Sequence, residues 1–319
     1  MADWTGRLGG LTLFSSANAE AIGVGASYQG GAWRGLQKRV LAPALRQLAG
    51  RSNRRGRVAV DERPRFIGAR AAPANPTPEQ QRILARIDGI EFYHTIELGH
   101  GIRTSGAFDH HPFLHHYRLP DRLDGQRVLD VATFDGFWAF QMEQRGAREV
   151  VAVDIGSFRQ LDLPATRRHV MTDAELDAPT GAGFRAAHEV LGSRVRRKIV
   201  SVYDLAPEYL GSFDTVFLSD LLLHLQNPIR ALERIRSVTR GRAIIAEVVA
   251  PELDRFGGTP VMQYTGGVGL CYWWRFSVAA LERMVRDAGF SRVERVHEFR
   301  TGHTWEKPHM AHLLLHAYP

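Results

Sequence analysis

From residue 126 to the C-terminus, short apolar segments alternate with helical ones, and this alternation limits the fold more tightly than any other feature of the chain. Seven segments have strand character: Arg127 to Val131, Val150 to Asp154, Lys198 to Val202, Phe213 to Leu218, Arg242 to Val248, Val293 to Phe299 and His312 to His316. Between them, Phe137 to Arg145, Phe184 to Leu191, Pro228 to Val238 and Val278 to Ala288 read as helices. Asn227 can cap the third, with Pro228 at its first position, and the fourth runs from a Ser277 cap to a Gly289 stop. Parallel neighbours need a crossover, and crossover helices cover both faces of the sheet they join. The expectation is an α/β fold: a doubly wound, mostly parallel, seven-stranded sheet after a helical or irregular N-terminal extension.

Residues 1–76 differ in texture, being rich in Gly, Ala and Arg. Eleven basic side chains between Arg34 and Arg70 face only Asp61 and Glu62, so this segment is more positive than the whole chain at +7, and the remainder is close to neutral. An amphipathic helix fits Trp33 to Leu48, with Pro43 kinking or splitting it. On composition the extension reads as partly disordered, and attachment to a membrane surface or to RNA through its arginines is the sharper alternative. Order is expected from Thr77, a cap followed by Pro78 and by Gln80 at capping-box spacing; Ile83, Leu84 and Ile87 then recur at helical intervals up to Gly89. Residues 77–125 are expected as a helical cap or lid, and 126–319 as the main domain.

With 44% hydrophobic residues in 319, the chain can bury a substantial core. No run approaches the roughly 18 consecutive apolar residues that span a bilayer. Arg7, Leu11-Thr12-Leu13-Phe14 and Ala17-Asn18-Ala19 outline a secretory leader, but Gly9 and Gly10 break its short apolar part, and a cytoplasmic protein is expected. A lone Cys271 excludes an internal disulfide and a cysteine zinc cage.

The first strand, turn and helix carry most of the chemistry: Val128-Leu129-Asp130-Val131-Ala132-Thr133-Phe134-Asp135-Gly136-Phe137-Trp138. Ligands of doubly wound sheets sit beyond the carboxyl ends of the strands, which sets Asp130, Asp135 and Gly136 at the cleft, and the helix N-terminus near Phe137 attracts a carboxylate. Asp154, ending the second strand, can accept hydrogen bonds from a ribose diol. A dinucleotide site needs glycines so that a pyrophosphate can lie on the backbone, and the corresponding positions are Ala132, Phe134 and Gly136, of which one is glycine. S-adenosylmethionine has no phosphate and fits better; a structural turn without a cofactor is the alternative.

Together with Arg145-Gly146-Ala147 and Val151-Ala152-Val153-Asp154, this stretch resembles the seven-stranded Rossmann-like methyltransferases that use S-adenosylmethionine. Within these it is most similar to bacterial tRNA wobble-uridine carboxymethyl or methoxy transferase-like proteins, with further matches at Tyr93-His94-Thr95-Ile96-Glu97-Leu98, Ser201-Val202-Tyr203-Asp204 and Leu221-Leu222-Leu223-His224-Leu225-Gln226-Asn227-Pro228. The resemblance covers residues 90 to about 300. It implies that Asp130 and Gly136 contact the methionine part, Asp154 the ribose and Asp204 the adenine amino group. Ala132, Thr133, Asp135, Phe137, Trp138, Tyr203 and Ser219 complete the expected cofactor contacts. The tRNA-modifying members carry a Lys-Gly-Pro element that serves a carboxylated cofactor, and the aligned stretch here is Ile102-Arg103-Thr104-Ser105-Gly106.

The departure from that lysine and the near-neutral body point to plain methyl transfer onto a hydroxyl of a small molecule, such as a glycoside, polyketide or aromatic intermediate. Nucleic acid is disfavoured as a partner and a homodimer is admissible. A tRNA-modifying methyltransferase and a noncatalytic cofactor-binding module are the alternatives. His224 is the first choice for a general base, since an imidazole titrating near 6.5 can take a hydroxyl proton; a histidine hydrogen-bonded at a helix entrance is the plainer account. Six histidines lie between His94 and His116. His111 and His115 at i, i+4 suit a metal if the segment is helical and Glu97 or Asp109 is near, but a lid formed with Tyr93, His94, Phe108 and Phe113 is preferred and no metal is expected. Tyr272-Trp273-Trp274-Arg275-Phe276 is either core or a wall of the acceptor pocket, with Trp274 as a flat surface and Arg275 holding an anionic group.

Overall fold

The computed structural model describes residues 4–8, 11–18, 21–28, 67–267, 272–304 and 307–319. The expected helix from Trp33 to Leu48, the arginines from Arg34 to Arg65 and Cys271 lie outside these residues. The chain divides into two compact units, Met1–Pro64 and Arg65–Pro319.

In the first unit, β1 (Trp4–Leu8), β2 (Leu11–Asn18) and β3 (Ala21–Tyr28) pair as an antiparallel three-stranded sheet. Sequence reasoning placed no strands there. Gly23 and Gly25 fall inside β3, and glycine dilutes the β signal of the residues around it.

The second unit opens with β4 (Ala69–Ala71) and α1 (Pro78–Ile87). The Thr77 hydroxyl accepts from the Gln80 amide at 3.2 Å while the Gln80 side chain accepts from the Thr77 amide at 2.8 Å, the reciprocal cap that the sequence predicts. Then come β5 (Phe92–His94), β6 (Arg103–Thr104) and β7 (Gly106–Phe108), with β5 parallel to β7, and a 3₁₀ turn at His111–Tyr117. A Cβ at Gly106 would lie 2.1 Å from the His94 backbone, so only glycine permits this approach.

Seven strands form the central sheet: β8 (Arg127–Val131), β9 (Glu149–Asp154), β10 (Arg196–Ile199), β11 (Phe213–Ser219), β12 (Thr239–Val248), β15 (Arg292–Thr301) and β16 (Met310–Tyr318). Their order is β10-β9-β8-β11-β12-β16-β15, parallel from β10 to β12, with β16 antiparallel to both of its neighbours. Strand order therefore reverses between β8 and β11, and the ligand cleft of a doubly wound sheet is expected beyond their carboxyl ends. Helices α2 (Phe137–Gln144), α3 (Ala182–Leu191), α4 (Pro228–Val238) and α5 (Val278–Asp287) pack on the sheet. Leu129 and Val131 join one buried cluster with α4 and α5, while Val128 joins the opposite one with α1, α2 and α3.

Seven strands and the mostly parallel order agree with expectation. The third strand lies earlier than predicted, because Ser201 caps a 3₁₀ turn, accepting from the Tyr203 amide at 3.3 Å, and this turn takes the chain out of the sheet. The aromatic stretch at residue 272 is a strand, β14 (Tyr272–Phe276), in an antiparallel ribbon with β13 (Met262–Gly267).

Candidate active site

The loop leaving β8 carries three left-handed residues: Ala132 at φ 59°, Phe134 at 51° and Gly136 at 93°. The backbone is thus glycine-like at each position where a dinucleotide site would have glycine, with two side chains tolerated there. A left-handed alanine costs roughly 1–2 kcal/mol, and glycine returns part of that gain as chain entropy. Ala132→Gly is therefore expected to stabilise the fold by about 0.5–1 kcal/mol in denaturant titrations, and a loss of stability would show that the loop is held by its methyl group. At Gly136 a Cβ would meet the Phe140 and Phe184 rings at 2.6–2.7 Å, so this glycine seats α2 against α3.

Asp130 is the penultimate residue of β8, and Asp154 ends the neighbouring β9. Asp130 is 1% exposed and accepts from the Thr133 hydroxyl at 2.7 Å. Burial pushes its carboxyl up to about 7, against the opposing pull of Thr133 and His94. Asp154 accepts from the Phe134 amide at 2.8 Å and the Ile155 amide at 2.7 Å, and burial raises it as well. A desolvated acid whose carboxyl burial has raised, beside a second carboxylate on the next strand, fits S-adenosylmethionine, whose ammonium and sulfonium would answer Asp130 and whose ribose diol would answer Asp154.

Asp135 has a different task. Its carboxylate accepts from the Tyr93 amide at 2.9 Å and the His94 amide at 2.7 Å, and it bonds the His94 ring through Nδ1. It therefore clamps β5 over the loop. Phe137 and Trp138 are buried in the aromatic layer beneath, with Trp138 4.7 Å from Phe217 and 4.3 Å from Tyr117 between ring centroids.

On the far side of the cleft the Tyr203 hydroxyl donates to Asp162 at 2.6 Å, and the Gln226 amide reaches the same oxygen at 2.7 Å. Trp273 Nε1 donates to the Asp162 carbonyl at 2.6 Å. Asp162, missed in the sequence because it sits in an irregular segment, thus ties three loops to β14. Burial and then this bond push the Tyr203 phenol up. Asp204 is exposed at the end of its 3₁₀ turn.

A buried polar cluster lies between the ends of β11, β12 and β16 and the strap formed by β5 and the 3₁₀ turn. Tyr93, His110, Tyr117, Ser219, Asp220 and His312 act on one another there. Burial pushes His110 down to about 3, so it is a neutral imidazole, and holds the Tyr93 and Tyr117 phenols protonated. Tyr93 rests 4.8 Å from Phe108 and 5.0 Å from Phe134 between centroids, an aromatic wall. His224 lies on the 3₁₀ turn Leu222–His224 with its ring 4.9 Å from that of Tyr272, and Tyr272 also acts on Tyr93. Tyr93 thus stands next to His94 and, through Tyr272 and Tyr117, near His224 and Ser219.

The remaining candidates divide: His111 packs on Phe137 as His94 does, with ring centroids 5.2 and 5.4 Å away, and Trp274 bonds the residue after His224, whereas His115 and Arg275 are exposed. In a 3₁₀ turn residues four apart do not share a face. His111 is held by Asp109 at 2.8 Å, whereas His115 is exposed with its ring 3.9 Å from that of His116. Among the described residues no group of three His, Cys, Asp or Glu side chains could hold a metal. Trp274 is half-buried and donates to the Leu225 carbonyl at 3.1 Å, while Arg275 is exposed and pairs with Glu252 and Gln263 instead of facing the cleft.

A family model described as a methyltransferase domain matches residues 107–295. The tRNA U34 carboxymethyltransferase of Pseudomonas aeruginosa is 30% identical over 171 residues, 53% of this chain and 46% of that protein. Its namesake from a Psychrobacter species is 28% identical over 178 residues, 54% and 48% respectively. The chain thus spans about half the length of the curated relatives it matches. Among solved structures, the N-terminal domain of EvdMO1, crystallised in the presence of SAH and D-fucose, superposes with a TM-score of 0.50 at 16% identity, covering 77% of this chain and 99% of that one. With its strand order and more than half of its length matched, the chain belongs to the methyltransferase-domain family of S-adenosylmethionine-dependent enzymes.

Proposed function

We propose that the protein methylates a hydroxyl group of an uncharged small metabolite, of glycoside, polyketide or aromatic type. The observation that carries this reading is the make-up of the cleft. The groups with the largest influence on Tyr93, Tyr117 and Asp220 are carboxyl, phenol, imidazole and serine groups. An RNA acceptor brings phosphates, which are answered by clustered basic side chains. A neutral alcohol or phenol needs none.

When bound, S-adenosylmethionine supplies a methyl group on a sulfonium centre, and the chain's part is to align the acceptor and exclude water. Asp130 and Asp154 would hold the donor; Tyr93, Phe108 and Phe134 would hold the acceptor's apolar face. The stretch aligned with the lysine-bearing element of the tRNA-modifying members has Ile102 buried and Arg103 exposed and paired with Glu97. That supports a plain methyl donor over a carboxylated one.

The curated relatives favour tRNA as a second reading. Product release measured with a panel of hydroxylated small molecules and, separately, with unmodified tRNA decides between them. Turnover on a small hydroxylated acceptor, with a product heavier by one methyl group, is expected. Turnover on tRNA alone would overturn the proposal.

A further inference from the structure

Asp220 directly follows β11, the strand beside β8 where strand order reverses. It is a non-glycine residue at φ 51°, a left-handed conformation that aspartate tolerates better than most residues and that recurs at functional sites. His312 Nε2 stands 3.0 and 3.3 Å from its two carboxylate oxygens, and His312 Nδ1 stands 3.0 Å from the Met310 carbonyl. A carbonyl and a carboxylate both only accept, so the ring between them carries a proton on each nitrogen. The His312 side chain is 0% exposed, whereas 26% of the Asp220 side chain can be reached. The histidine is sealed behind the aspartate, which is the partly exposed member of the pair.

A second acid completes the arrangement. Glu247 is wholly buried, accepts from the Leu221 amide at 2.8 Å and the Leu222 amide at 2.9 Å, and burial followed by the charge of Asp220 pushes it far up. Burial alone would also raise Asp220, but the His312 imidazolium holds it below its ordinary value. Two neighbouring carboxyls are driven apart, one neutral and one ionised, the pattern that separates acid from base in active sites.

We propose that Asp220 receives the proton of the acceptor hydroxyl, with His312 as the positioning residue that keeps its carboxylate ionised and aligned. The assignment rests on the hydroxyl-methylating reading above. As the new O–CH3 bond forms, the acceptor O–H bond breaks and its proton passes to the Asp220 carboxylate and then to water. The electron pair of the donor's S–CH3 bond stays on sulfur. Because the reachable group is anionic and Tyr93, Tyr117 and His110 around it are neutral, the cleft selects a neutral alcohol or phenol and disfavours acceptors whose reacting end bears a carboxylate or phosphate.

The test uses the full chain with Asp220→Asn and His312→Gln, each checked for folding by circular dichroism. On whichever acceptor the wild-type protein methylates, Asp220→Asn should lower kcat/KM at least 100-fold and leave the S-adenosylmethionine Kd within about twofold. A loss of less than tenfold overturns the assignment. Nuclear magnetic resonance of labelled histidine gives a readout apart from turnover. His312 should remain an imidazolium above the ordinary histidine range in the wild type and lose that proton in Asp220→Asn. A neutral His312 at pH 6 in the wild type overturns the pair.

The titratable groups facing Asp220 are Glu247, His312, His110, Tyr93 and Tyr117. His312→Gln removes the cation among them, so the acid limb of the kcat/KM profile should move to higher pH; an unmoved limb rejects the positioning role. Turnover confined to tRNA would defeat the small-molecule reading and leave the Asp220 comparison to be judged by the same ratio.

Discussion

Replacing Asp135 by alanine should cost the cofactor-free protein about 4 kcal/mol of folding stability and lower its thermal midpoint by roughly 8–16 °C. The carboxylate is 2% exposed and accepts from two backbone amides and the His94 ring. Alanine would strand all three donors in a buried place, and each stranded amide costs about 1–3 kcal/mol. β5 has three residues and pairs with β7 alone, so beside the buried Phe92 ring and the Thr104 hydroxyl, which donates to the His94 carbonyl at 2.8 Å, the clamp is a large share of what holds it. Tyr93 would leave the cleft with it, and acceptor turnover should fall further than cofactor affinity. Asp135→Asn keeps one acceptor oxygen and should fall between the two. If the residue mainly served the donor, as its place in the motif suggests, the cofactor-free midpoint would stay where it is and only S-adenosylmethionine affinity would drop.

Asp135 also shows where the sequence could be read and where it could not. The period of the apolar segments set β8, β9, β11 and α2 to within a residue or so, because each buries a continuous stripe whose spacing is local. Asp130 and Asp154 were legible as candidates because the carboxyl ends of parallel strands face the ligand side of such a sheet. Asp135 lies in the same motif, but its partners are the amides of Tyr93 and His94, some forty residues earlier, and no spacing rule links them. Counting glycines pointed to the right cofactor but not to the backbone: Ala132 and Phe134 adopt the left-handed conformation without being glycine, so residue identity understated the loop's shape. Asp220 had a usable signal, since it directly follows the β11 strand whose last residue, Ser219, was already a candidate. His312 had none, because β16 enters the sheet antiparallel between β12 and β15, and only that topology sets it behind Asp220.

Asp130 should make both stability and donor affinity depend on pH near neutrality. Its carboxyl stands at about 7 in the folded protein, first because of burial, against about 3.9 in an unfolded chain. Between about pH 4 and 7 the folded state therefore keeps a proton that the unfolded chain has released, so this contribution is fully present below pH 4 and is lost as pH rises through 7. Three pH units correspond to about 4 kcal/mol, and denaturant titrations of the cofactor-free protein should show that decline. Asp130→Asn, which imitates the protonated acid and can still accept from Thr133, should remove Asp130's share of it. A cationic donor has the opposite preference, since it favours the ionised carboxylate, and in the proposed placement its binding expels the proton. S-adenosylmethionine should then bind about tenfold more weakly at pH 6 than at pH 8. The ligand's own titration is common to wild type and Asp130→Asn, so the ratio of their affinities isolates the side chain. A ratio independent of pH would mean that Asp130 is not the group facing the donor's positive charge, and the burial that raises its pKa would then serve the fold alone.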